Sequence, residues 1–115
     1  MSAEHLLEEL KRYGVDTDGA MERFLDDADL YQSCLQMFMS DDAFERLDQA
    51  LRENDRKKAF DAAHSLKGVA ANLGLDSLLQ AISQIVEVLR RDTDDDLAAL
   101  YANLQTELEK LKEIV

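Results

Sequence analysis

Asp55-Arg56-Lys57-Lys58-Ala59-Phe60-Asp61-Ala62-Ala63-His64-Ser65-Leu66-Lys67-Gly68-Val69-Ala70-Ala71-Asn72-Leu73-Gly74 is the stretch that decides the fold. It is rich in good helix formers and has no proline. Asn54-Asp55 offers an N-cap, and Gly74 stands where a left-handed residue ends a helix, so one long helix is expected through about Leu73. On a wheel of about 100° per residue, Ala59, Ala62, Leu66, Val69, Ala70 and Leu73 fall roughly 140–240° from His64. They predict a core stripe on the side away from the histidine. Phe60, Lys67, Gly68 and Ala71 fall within about 60° of His64 by the same geometry. The solvent face thus combines an imidazole, a lysine, a phenyl ring and two residues with almost no side chain.

Gly68 is the oddity on this face. A glycine inside a helix costs about 1 kcal/mol relative to alanine. Close approach of another backbone or protein is one reason to accept that cost. The residues alone leave two readings open. His64 is either an ordinary surface histidine beside a weak point, or an imidazole kept clear for another molecule.

The rest of the chain reads as helices around this one. Leu6, Leu7 and Leu10 share a face over about 3–12, and Tyr13-Gly14 closes that segment. Asp16-Thr17-Asp18 starts a short helix to about Leu25, with Met21, Phe24 and Leu25 expected inward. Asp27 or Asp29 caps a helix over about 28–39, whose apolar residues are Leu30, Tyr31, Cys34, Leu35, Met37 and Phe38. Ser40-Asp41-Asp42 restarts or bends it, and it runs on through Phe44, Leu47 and Leu51. Asp76-Ser77 opens the stripe Leu78, Leu79, Ile82, Ile85, Val86 and Leu89. Asp92 to Asp96 then separates it from Leu97, Leu100, Tyr101, Leu104, Leu108 and Leu111, with Thr93 and Asp96 spaced as a capping box. Short connections favour antiparallel neighbours. The expected fold is therefore all-α: an antiparallel four-helix bundle over 28–114, with short accessory helices in 1–26, as a single domain over 1–115.

Composition narrows the function. The chain has 115 residues, with 25 Asp and Glu against 13 Lys and Arg, for a net charge of −12. That excess disfavours a nucleic-acid partner, whose phosphates need clustered cations, and an anionic membrane surface. The single cysteine, Cys34, leaves no internal disulfide and no Cys-based metal cluster; it shares a stripe with Leu30, Leu35 and Phe38 and is expected as a buried apolar thiol. No run of about 18 apolar residues occurs, and the first residues lack the pattern of a signal peptide, so a cytoplasmic protein is expected. Residues 46–67 run against the trend, with six Lys and Arg against four Asp and Glu, net +2, leaving −14 elsewhere. Cations placed before and on the helix that carries His64 would steer an acidic partner toward it.

Ala63-His64-Ser65-Leu66-Lys67-Gly68, followed by a stretch of small residues and Asn72-Leu73-Gly74, resembles the signature of histidine-containing phosphotransfer (HPt) domains. Ser65 stands where threonine is common. The resemblance extends more loosely over about 28–114. It implies a phosphocarrier in a multistep His–Asp phosphorelay of two-component signal transduction. In that reading His64 accepts a phosphoryl group from a receiver-domain aspartyl phosphate and passes it to another receiver. It further implies that Lys67 stabilises the phosphoryl charge and Gly68 permits close docking, with Phe60 and Ala71 in the partner surface. The implied partners are receiver domains of a hybrid histidine kinase or a response regulator. The carrier itself would bind no ATP and need no cofactor, Mg²⁺ being supplied by the receiver.

The chemistry of the residues agrees. Imidazole is a usable nucleophile near neutral pH, its reference pKa being about 6.5. Phosphoryl transfer needs mainly in-line positioning and neutralisation of the equatorial oxygens. A lysine at i+3 can reach a group on the imidazole, and a partner that closes over the ring removes the need for a pocket.

Competing features fall away. Counted from Asp92, positions 6 and 12 of a calcium loop are Leu97 and Asn103, not the required Gly and Glu. His5 and His64 sit on separate helices, which argues against zinc, and the last helix spans too few heptads for a dimeric coiled coil. A monomer is expected, and a free-standing one, since the chain opens on Met1 and carries no receiver or ATP-binding segment. Two rivals remain: a non-catalytic helical adaptor that binds through the His64 face, and the dimerisation module of a histidine kinase, which the single-bundle count disfavours.

Overall fold

The computed structural model of the chain describes residues 2–93 and 96–115. The described residues form seven helices: α1 Ala3–Tyr13, α2 Thr17–Arg23, α3 Ala28–Met39, α4 Ala43–Arg52, α5 Arg56–Asn72, α6 Asp76–Arg91 and α7 Leu97–Ile114. No strand occurs among them. Side-chain N-caps start five of the helices. Ser2 accepts from the His5 N–H, Asp16 from Gly19, Asp27 from Leu30, Asp55 from Lys58 and Asp96 from Ala99. Each such cap contributes about 1 kcal/mol.

Helices α4 to α7 form the antiparallel bundle, and α5 packs between α4 and α6. Arg56 at the start of α5 donates to the carbonyls of Val88 and Thr93 at the end of α6, which fixes their opposite directions. The inner side of α5 is Ala59, Ala62, Ala63, Leu66 and Ala70, all buried. Such small side chains let neighbouring helices approach closely. α1 lies against α3 and α7 and contributes Leu6 and Leu10 to the same core; Ala20 of α2 joins them. The Tyr13 hydroxyl donates to Glu107 of α7 at 2.6 Å.

The N-terminal helices hold the far end of α5. Tyr31 of α3, fully buried, donates its hydroxyl to the Leu73 carbonyl at 2.6 Å. Phe24 meets the Tyr31 ring edge-on, with centroids 5.3 Å apart. Arg23 of α2 donates to the carbonyls of Asn72 and Ala71 at 3.0 and 3.1 Å. Gly74 ends the turn with φ +70°, and a Cβ there would lie 2.5 Å from the Asp16 carbonyl oxygen. The Asp16 N–H donates to the Gly74 carbonyl, so that close approach requires glycine.

Several expectations are corrected. Leu25 points outward, 88% exposed, because α2 ends at Arg23 and the chain reverses through Leu25 and Asp26, both at positive φ. Leu30 and Met37 lie on the outer face of α3, and Cys34 is half-buried rather than buried. Val69 is 36% exposed while Ala63 is buried, so the buried arc of α5 is rotated toward α6. The cap of α7 is Asp96, not Thr93; Asp94 and Asp95 lie outside the described residues. Leu75, not Asp76 or Ser77, is the residue before α6, and it makes no side-chain cap bond.

Tyr31→Phe should therefore lower the stability in urea by about 1–3 kcal/mol, since it strands a buried carbonyl. Burial pushes the Tyr31 hydroxyl far above its ordinary value, partly offset by Arg23. A raised tyrosine contributes stability that is present below the unfolded value of about 10 and lost as pH rises above it. The variant should thus also flatten the alkaline fall in stability, as measured by urea midpoints across that range.

Candidate functional site

Two packed flanks leave α5 one free strip, and His64 stands in its middle, exposed. Sequential positions on that strip are Lys57, Phe60, Asp61, His64, Lys67, Gly68, Ala71 and Asn72. Every residue singled out in the sequence lies on it: His64, Gly68 and Ala71 are exposed, while Phe60 and Lys67 are half-buried at its α6 edge. Neither ring nitrogen of His64 has a hydrogen-bond partner among the described residues. Its ring stacks on that of Phe60, at 5.6 Å between centroids with 9° between planes.

Charge is arranged unevenly around this strip. Of the six cations in residues 46–67, five are paired. Arg46 meets Asp42, Arg52 meets Asp48, Arg56 meets Asp92, Lys57 meets Asp61 and Lys58 meets Asp55, at 2.8–3.9 Å. Lys67 alone of the six has no carboxylate partner among the described residues. The basic excess expected to steer a partner is thus largely neutralised locally, and the ammonium left for an incoming anion is one turn from His64. A Cβ added at Gly68 meets nothing within 4 Å. The fold itself therefore does not require glycine there.

Sequence reasoning missed two residues at the strip. Arg90 of α6 places its guanidinium carbon 5.9 Å from the centroid of the Phe60 ring, and Arg23 closes the strip by capping Ala71 and Asn72. Neither has a signal in the pattern of α5, because each arrives from another helix.

Gly68 and Ala71 leave little side chain around His64. A cleft of about 310 Å³ opens where α5 begins, between Leu51, Ala59, Leu89, Leu97 and Tyr101. Its arginines, Arg52 and Arg56, are both held by aspartates. Burial and a bond to Asp48 push the Tyr101 hydroxyl up to about 12, so it is a neutral donor there. An exposed imidazole with an ammonium one turn away carries few catalytic groups of its own, so efficient transfer calls for a partner that brings the rest of the site.

No curated protein and no solved structure matches the chain. The family model of the Hpt domain matches residues 20–114, which include all of the strip. The chain belongs to the HPt domain family, helical bundles that serve histidine phosphotransfer in phosphorelay signalling and interact with receiver domains.

Proposed function

We propose that His64 is the phosphoacceptor of a carrier that relays a phosphoryl group between receiver domains in the cytoplasm. The observation that carries this reading is the free strip of α5, where among the described residues neither the His64 imidazole nor the Lys67 ammonium one turn on has a polar partner, and where Gly68 leaves open space.

In the forward step, the lone pair of the outer ring nitrogen of His64 attacks the phosphorus of an aspartyl phosphate. The N–P bond forms as the acyl P–O bond breaks, and that electron pair returns to the aspartate carboxylate. A proton on the other ring nitrogen leaves to solvent or stays on the phosphoimidazole according to pH. In the second step a carboxylate of another receiver attacks phosphorus, and the N–P electron pair returns to the ring. Lys67 neutralises charge on the equatorial oxygens in both directions. The bare surface at Gly68 and Ala71 lets the receiver backbone come close enough for in-line geometry, which needs reacting atoms about 3–3.5 Å apart. No helix among the described residues is long and apolar enough to cross a membrane.

Incubation with a phosphorylated receiver should give acid-labile phosphate on His64. His64→Gln should abolish it while shifting stability by no more than about 0.5 kcal/mol, as for other exposed positions. Receiver binding without any phosphate gain would favour the adaptor reading instead.

Lys67→Ala should slow transfer, or shorten the lifetime of the phosphohistidine, more than it weakens receiver binding. Unchanged kinetics in both directions would remove its electrostatic role.

Gly68→Ala should leave the fold equal in stability or up to about 1 kcal/mol more stable. Gly68→Gln should keep stability and reactivity toward phosphoramidate yet lose most transfer from a receiver. Parallel loss of phosphoramidate reactivity would place the effect on the imidazole rather than on docking.

A further inference from the structure

Phe60 is on the wrong side of α5 for an ordinary core residue. The buried arc of the helix is alanine and leucine, whereas Phe60 lies one turn before His64 at the border of the free strip. Half of its surface logic is packing: the ring leans on the core beside α6. The remainder is contact with His64. The two rings are nearly parallel, 9° between planes, with centroids 5.6 Å apart, in the range of an offset aromatic stack. Positions i and i+4 lie one above the other on a helix, so the pair can form without moving the backbone.

The phenyl ring is itself held from outside the helix. The Arg90 guanidinium carbon lies 5.9 Å from its centroid, at cation–π distance. Arg90 is in turn paired with Glu87 at 3.0 Å. A chain of contacts therefore runs Glu87, Arg90, Phe60, His64, from the neighbouring helix to the imidazole. Among the described residues His64 has no hydrogen bond or ion pair to orient it, so the stack is the directional contact left to its ring.

We propose that Phe60 is a positioning residue for phosphoryl transfer, holding the His64 imidazole in one orientation through the stack, with Arg90 bracing Phe60 from α6. The inference rests on His64 being the phosphoacceptor. An exposed side chain otherwise samples its rotamers on the picosecond to nanosecond scale. A docked receiver presents its aspartyl phosphate along one fixed direction, so an unrestrained imidazole must be ordered within the complex. Immobilising one such side chain is worth about two- to tenfold in rate. Phosphoramidate approaches freely from solution and sets its own direction, so it demands much less of that order.

The test compares wild type with Phe60→Leu, Phe60→Tyr and Arg90→Gln. The donors are phosphoramidate and a receiver domain phosphorylated with acetyl phosphate. Phe60→Leu keeps apolar volume but has no ring. It should lower the receiver-driven rate at saturation about two- to tenfold, more than it changes the receiver Kd or the phosphoramidate rate. The ring-current shift of the His64 imidazole protons in the NMR spectrum should vanish with it. Phe60→Tyr should restore both rate and shift. Arg90→Gln disturbs no core packing and should weaken the shift and the rate in the same direction, which keeps the test decisive if Phe60→Leu folds poorly. A rise in receiver Kd with an unchanged saturated rate would overturn the proposal and make Phe60 a docking contact. Full rate and full shift in Arg90→Gln would overturn the brace. Absence of phosphate on His64 in wild type would instead overturn the acceptor assignment itself, so the two failures are distinct.

Discussion

The constraint on which the structure turns is the small inner face of α5. Four of its five buried residues are alanines. A helix with so little on its inner side can be gripped closely by α4 and α6 at once. Gripping on two flanks gives the helix a rigid position and leaves a single strip of circumference in solvent. Whatever stands on that strip is displayed rather than enclosed. His64 occupies its centre, and Gly68 and Ala71 keep the surroundings low. The exposure of His64 is thus a consequence of how α5 is packed, and it suits a group whose chemistry is completed by a partner.

A displayed histidine is useful only if its platform does not fray. Helix ends are where unsatisfied backbone groups accumulate. Both ends of α5 are tied to other elements. Asp55 caps the start, and Arg56 ties it to α6. At the finish, Tyr31, Arg23 and the Asp16–Gly74 contact take up the carbonyls of Ala71 to Gly74. The segment before α4 therefore does more than lengthen the bundle. It supplies hydrogen-bond donors that α5 cannot provide for its own last turn, two turns beyond His64.

Much of this was legible in the sequence. The periodicity around His64, the cap at Asp55 and the terminator at Gly74 were enough to place the strip and its occupants, because a helix face depends only on the residues of that helix. What failed was information that belongs to pairs of helices. Val69 lies within the apolar arc of a wheel, yet it sits outside because α5 is rotated toward α6. Leu25 is apolar at a helical spacing, yet the reversal between α2 and α3 turns it into solvent. The basic excess over 46–67 was visible as a sum. Four of its five ion pairs lie three or four residues apart and were open to the same reading, but the Arg56–Asp92 pair was not, since that aspartate follows another helix. Arg90 and Arg23 went unseen for the same reason: register between helices is not written in the period of either one.

The central claim is that His64 is presented ready for phosphoryl transfer on a face that needs no rearrangement. The most direct measurement is a pair of ¹H–¹⁵N and ³¹P spectra, before and after phosphorylation with phosphoramidate. The account predicts one phosphohistidine signal, assigned to the outer nitrogen of His64, with backbone shift changes confined to about residues 60–72 and the facing turn of α6. Phosphate on His5, or shift changes spread through α4 and α7, would contradict it.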